Sequence, residues 1–103
     1  MIAKIAVSAA NFAIDKPYSY RIPEGMNLRP GMRVQVPFGR ANKRTEGVIL
    51  SVETDDGQEL KSIDCRLDEE PVLTQQMLRL AAFMRERYFC TLFDALRVML
   101  PTG

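Results

Sequence analysis

A chain of 103 residues with a formal net charge of +1, 47% hydrophobic and 26% charged, is sized and composed for one globular domain. It is too short for a motor or a two-domain enzyme and too apolar for a disordered or fibrous chain. With no histidine in the sequence, no Ser or Cys in a nucleophile context and no G-x-x-x-x-G-K-S/T phosphate loop, catalysis by this stretch is not expected and binding is.

Taken in order, Ile2 to Ser8 alternates Ala3, Ile5 and Val7 against Ile2, Lys4, Ala6 and Ser8, which predicts an opening strand with one apolar face. Lys4, Asn11 and Asp15 break the apolar start, so it does not read as a signal peptide. No stretch reaches transmembrane length, and a cytoplasmic location with no membrane contact is expected. Asn11 to Lys16 is irregular, and Pro17 keeps Lys16 out of the helical region before a second strand, Tyr18 to Ile22. Pro23-Glu24-Gly25 is a turn, and Pro30-Gly31 suits a type II turn.

Met32, Val34 and Val36 then alternate with Arg33 and Gln35 in a third strand that Pro37 and Gly39 end. Gly39 can take a positive φ and admit a ligand close to its backbone. Arg40, Lys43 and Arg44 form an exposed basic loop before Gly47-Val48-Ile49-Leu50 starts a fourth strand. From Met26 to Thr45 there are five cations and no carboxylate, whereas Glu53 to Glu70 holds eight acids against Lys61 and Arg66. Such charge runs set local field rather than fold. Asp55-Asp56-Gly57 closes the fourth strand, and Leu60 to Leu67 forms a fifth that Lys61 opens.

After Pro71 the period changes to about 3.6. Thr74 is the expected N-cap of a helix with Met77, Ala81, Met84 and Tyr88 on its stripe. A second helix starts at Thr91, in capping-box spacing with Asp94, buries Leu92, Leu96 and Met99, and stops at Pro101. Cys65 and Cys90 lack paired spacing and are read as reduced and metal-free. The fold class is therefore α+β: a small, mostly antiparallel, barrel-like sheet of about five short strands followed by two C-terminal helices. One domain spans 1–103, with its β part over 1–70 and its helical part over 71–101.

Tyr18-Ser19-Tyr20-Arg21-Ile22-Pro23-Glu24-Gly25, then Pro30-Gly31-Met32-Arg33-Val34 and Val36-Pro37-Phe38-Gly39-Arg40, resemble the N-terminal 3′-end DNA-binding domain of the PriA family, the bacterial replication-restart (primosomal) helicases. Gly47-Val48-Ile49, Glu59-Leu60-Lys61 and Glu70-Pro71-Val72 continue the resemblance over nearly the whole chain. It implies a fragment of a larger ATP-dependent 3′-to-5′ DNA helicase. The stretch itself would be no enzyme and need no cofactor, the family's ATP and zinc being held elsewhere.

The resemblance also implies a function in DNA replication restart: recognising the 3′ end of the nascent leading strand at stalled forks without base-sequence preference. Single-stranded and forked DNA with a free 3′-OH, the rest of the helicase chain and other primosome proteins are the implied partners. The family's 3′-end pocket falls on Tyr18, Ser19, Gly39 and Lys61, with Tyr20, Phe38, Arg40, Lys43 and Arg44 as supporting DNA contacts. Tyr18 stands where the family usually has phenylalanine, and Ser19 where it has aspartate. From the residues alone, a basic β-barrel protein-interaction module or an RNA-binding one is the alternative.

Overall fold

The computed structural model describes residues 1–9, 15–55, 57–88 and 90–100. Among these, β1 (Ile2–Val7), β2 (Tyr18–Arg21), β3 (Arg33–Phe38), β4 (Lys43–Glu53) and β5 (Cys65–Arg66) form one antiparallel sheet in the order β2-β1-β4-β3-β5. Two helices, α1 (Gln75–Tyr88) and α2 (Leu92–Arg97), follow. No described helix is long and apolar enough to cross a membrane.

The sheet buries both faces. Ala3, Ile5, Val7, Val34, Val36 and Ile49 pack with Tyr20, Leu28, Met32 and Ile63 on one side. Ala6 and Val48 pack under Leu73, Leu78, Ala81, Phe93, Ala95 and Leu96 on the other. Each fully buried Val, Ile or Leu contributes roughly 1.5–3 kcal/mol. The expected single apolar face of the opening strand is thus corrected: Ile2 and Ala6 are buried as well, because β1 is central and the helices cover the face that alternation assigned to water.

Local signals were accurate where chemistry is local. Gly25, Gly31 and Gly39 have φ of 85°, 92° and 77°. The Met32 amide donates to the Arg29 carbonyl at 3.3 Å across the Pro30-Gly31 turn. Thr74 accepts from the Met77 amide at 3.1 Å, and Thr91 caps α2 through the Asp94 amide at 3.1 Å. The buried Asp15 carboxylate accepts from the Leu92 amide at 2.8 Å and pairs with Arg85, joining α1 to the start of α2. Pro101, the expected stop of the second helix, and Asp56 of the turn after β4 lie outside the described residues, as does most of Asn11 to Lys16.

Several element extents, and the buried stripe of α1, differ from expectation. The strand expected to end at Pro37 runs to Phe38. The carbonyls of Arg33 and Gln35 accept from Leu67 and Asp64, and β5 pairs only Val34 and Gln35, so Pro37, of the same parity, interrupts no ladder. Lys43 and Arg44 belong to β4, opposite Phe38 and Pro37, so the loop is only Gly39 to Asn42, closed by the Asn42 amide on the Gly39 carbonyl at 3.1 Å.

The fifth strand shrinks to Cys65–Arg66. Lys61 lies ahead of a parallel bridge between Arg21 and Ser62, because the stretch bonds first to β2 and then, through Asp64, to β3. That segment links the two edges without closing the sheet by a continuous ladder, so the barrel likeness is loose. On α1 the buried stripe is Leu78 and Ala81, 7% and 0% exposed, whereas Met77 and Tyr88 are 36% and 68% exposed. Capping at Thr74 sets that phase, since it turns Leu78 rather than Met77 toward the sheet.

The five cations of the basic run divide. Arg29 pairs with Glu70, and Arg33 grips Asp68 with Nε at 3.0 Å from Oδ2 and Nη2 at 2.8 Å from Oδ1, while its amide reaches Oδ2 at 2.9 Å. These bonds from Arg33 hold the Asp68 carboxyl below the usual carboxylate range despite its burial. A carboxyl with a folded pKa below its unfolded value stabilises the fold above the unfolded pKa, about 3.9, and loses that contribution as pH falls through the folded pKa. Asp68→Asn is therefore expected to cost about 1–3 kcal/mol in urea unfolding at pH 7. The gap from the parent should close as the pH falls below the ordinary carboxylate range and through the lowered folded-state pKa; a gap independent of pH would refute the assignment.

Candidate nucleic-acid interface

One cavity of about 360 Å³ is lined by Tyr18, Ser19, Tyr20, Phe38, Gly39, Glu59, Leu60 and Lys61. It brings together the four residues expected to form the site, Tyr18, Ser19, Gly39 and Lys61, from three separate parts of the sequence. The period of two places Tyr18 and Tyr20 on the same face of β2, against Ile5 and Ala3. Phe38 ends β3 beside them and meets Tyr18 edge to face, centroids 5.1 Å apart at 89°. The Lys16 ammonium lies 5.6 Å from the Tyr18 ring centroid. The aromatic wall thus stands on the sheet face opposite the helices.

Tyr20 contributes from the core. It is 4% exposed, and its hydroxyl donates to the Pro37 carbonyl at 2.8 Å. Burial first, then the neighbouring Tyr18 and Asp64, push its pKa up to about 12, so it remains a neutral donor near pH 7. Its part is to shape the wall and tie β2 to the end of β3, rather than to meet solvent as an open stacking platform.

The third wall is the stretch Glu59 to Lys61. Arg21 holds it: Nη1 pairs with Asp55, Nη2 donates to the Gln58 carbonyl at 2.7 Å, and the Arg21 amide donates to the Lys61 carbonyl at 2.9 Å. Asp55 accepts from the Gly57 amide at 2.8 Å, and that bond, with Arg21, lowers its pKa. Lys61 Nζ reaches across to the Gly39 carbonyl at 2.7 Å. A Cβ added to Gly39 would meet nothing within 4 Å, so its φ of 77°, not crowding within the chain, makes glycine suitable there.

Arg40, Lys43 and Arg44, which do not line the cavity, are exposed and form no ion pair among the described residues. Arg40 sits on the loop, and Lys43 and Arg44 on the first positions of β4. Cys65 and Cys90 are free thiols. Among the described residues no three His, Cys, Asp or Glu come together to hold a metal. Sequence reasoning missed Glu59 and Leu60 as cavity residues and Arg21 as their anchor. Adjacency to Lys61 was the available signal for the first two; for Arg21 there was none, since its partners lie over thirty residues away.

A sheet-borne aromatic cavity crossed by a lysine, on a sheet whose β3–β4 hairpin carries exposed cations with no ion pair among the described residues, defines a small binding module. The family model of the 3′DNA-binding domain (3′BD) of PriA matches residues 4–101. The chain is 33% identical over 106 residues to replication restart protein PriA of Bacillus subtilis (strain 168), a match covering 98% of this chain and 13% of that protein. It is 30% identical over 101 residues to the PriA of Rickettsia conorii, covering 97% of this chain and 15% of the relative. The probable PriA of Mycobacterium tuberculosis (strain CDC 1551 / Oshkosh) matches at 30% over 92 residues, 85% of this chain and 14% of that protein. The chain belongs to the PriA 3′DNA-binding domain family. It spans roughly one seventh of the length of these relatives.

Proposed function

We propose that this chain is the DNA-binding module of a PriA-like replication-restart helicase, and that it holds the 3′-terminal nucleotide of the nascent leading strand at a stalled fork, without base preference. The observation that carries this reading is the convergence of Tyr18, Ser19, Gly39 and Lys61, from three separate parts of the chain, on one cavity. Every base has a π-face, so stacking on Tyr18 or Phe38 is indifferent to sequence and is worth roughly 1–3 kcal/mol per base. Lys61 lies within reach of the terminal nucleotide, while Arg40, Lys43 and Arg44 neutralise phosphates further along.

The module does no chemistry on this reading. The motor with its ATP and zinc belongs to other parts of a longer cytoplasmic protein, which with other primosome proteins supplies the protein partners. The test is a fluorescence-anisotropy titration of single-stranded and forked DNA ending in a 3′-OH or a 3′-phosphate. Tighter binding of the free 3′-OH is expected on both substrates. Equal affinity for the two ends would reduce the module to a nonspecific basic surface.

A further inference from the structure

We infer that Glu59 selects a 3′-hydroxyl over a 3′-phosphate in the cavity, an assignment that rests on the end-binding reading above. Lysine alone gives the wrong sign. An ammonium attracts a terminal phosphate dianion more strongly than a neutral hydroxyl, so a cavity charged only by Lys61 would favour the blocked end. Among the lining residues Glu59 is the only carboxylate. It repels the phosphate, and it accepts from a hydroxyl a charge-assisted hydrogen bond roughly twice as strong as a neutral one. Ser19, on the wall formed by β2, offers only a neutral hydroxyl.

The placement of Glu59 fits this task. It lines both the cavity and an adjoining cleft formed with Arg21, Gly57, Gln58, Leu60 and Lys61, so a strand lying in the cleft and ending in the cavity passes it. Arg21 pins the backbone on either side, through the Gln58 carbonyl at 2.7 Å and the Lys61 carbonyl at 2.9 Å. The Glu59 carboxylate itself makes no hydrogen bond or ion pair among the described residues. The fixed main chain reduces the backbone ordering that binding costs, and the uncommitted carboxylate breaks no bond within the chain to meet a ligand.

The experiment is an anisotropy titration of the 103-residue chain and its Glu59→Gln and Glu69→Gln variants with 3′-OH and 3′-phosphate oligonucleotides at two salt concentrations, with folding checked by circular dichroism. Glu59→Gln should cut the hydroxyl-to-phosphate affinity ratio by roughly tenfold, or 1.4 kcal/mol, mainly by tightening binding of the phosphate. Glu69→Gln should leave the ratio unchanged. Added salt should shrink the parent's ratio more than the Glu59→Gln ratio, because screening weakens the repulsion. A parent that prefers the hydroxyl and a Glu59→Gln variant with the same ratio would overturn this assignment while leaving end binding intact. A parent with no preference would remove the end-binding reading itself, and this inference with it.

Discussion

Gly31→Ala is expected to lower the stability of the domain by about 3–5 kcal/mol, the cost of crowding and backbone strain together. A Cβ at this position would lie 2.1 Å from the Leu73 carbonyl oxygen and 3.1 Å from its carbon. Neither atom can give way cheaply. Leu73 is buried, and its amide and that of Val72 donate to the Gly31 carbonyl at 3.3 and 3.1 Å, while the Gly31 amide donates to Ile49 at 2.8 Å. Gly31 is thus the joint between β4 and the approach to α1, and its φ of 92° adds roughly 1–2 kcal/mol for any L side chain. For a domain whose whole stability is about 5–15 kcal/mol, this should appear as a fall of about 15 °C or more in the thermal midpoint. Gly25→Ala is the control, because its φ of 85° is similar but an added Cβ meets nothing within 4 Å. Equal losses in the two variants would mean that strain alone, and not the close approach to Leu73, fixes the joint.

Lys61→Ala should weaken binding of the 3′ end roughly tenfold, and more for a 3′-phosphate, which its ammonium attracts, than for a 3′-OH, while leaving stability within about 0.5 kcal/mol. The side chain is exposed and its one hydrogen bond goes to the Gly39 carbonyl, so little packing is lost with it. Its ammonium reaches the Gly39 carbonyl, and both residues line the cavity, whereas Arg40, Lys43 and Arg44 are exposed and do not line it. Replacing any one of those three should weaken all single-stranded DNA about equally and lower the salt slope by roughly 0.7. Anisotropy with 3′-OH and 3′-phosphate oligonucleotides over a salt series separates the two behaviours. Identical, uniform weakening by Lys61→Ala and Lys43→Ala would place Lys61 with the general phosphate contacts.

What was legible in the sequence follows the range of the interactions involved. Turns at Pro23 to Gly25 and Pro30-Gly31, and the caps at Thr74 and Thr91, depend on neighbours within four residues, and they were readable. The extent of β4 was not. Lys43 and Arg44 look like loop residues because cations on a strand's exposed end carry no apolar period, and only pairing with Phe38 and Pro37 makes them strand. Lys61 seemed to open a strand because nothing local reveals that its stretch divides its hydrogen bonds between Arg21 and Gln35. Met77 and Leu78 are both apolar, so the phase of α1 was decided by the cap and the sheet beneath it.

Of the candidate site, Gly39's positive φ was readable from residue chemistry, and the grouping of Tyr18, Ser19, Gly39 and Lys61 came from the family resemblance. Their convergence, the retreat of Tyr20 into the core and the arrival of Glu59 depend on β2, β3 and the Glu59 to Lys61 stretch meeting in space.

The central claim is that the cavity itself takes the terminal nucleotide. The direct measurement is a nuclear magnetic resonance titration of the isotopically labelled chain with a short oligonucleotide bearing a free 3′-OH, following backbone amides. The account predicts saturable shifts centred on Tyr18, Ser19, Gly39, Glu59 and Lys61, much reduced when the same oligonucleotide carries a 3′-phosphate. Shifts confined to Arg40, Lys43 and Arg44, alike for both ends and with no saturable change at Tyr18 or Lys61, would contradict it.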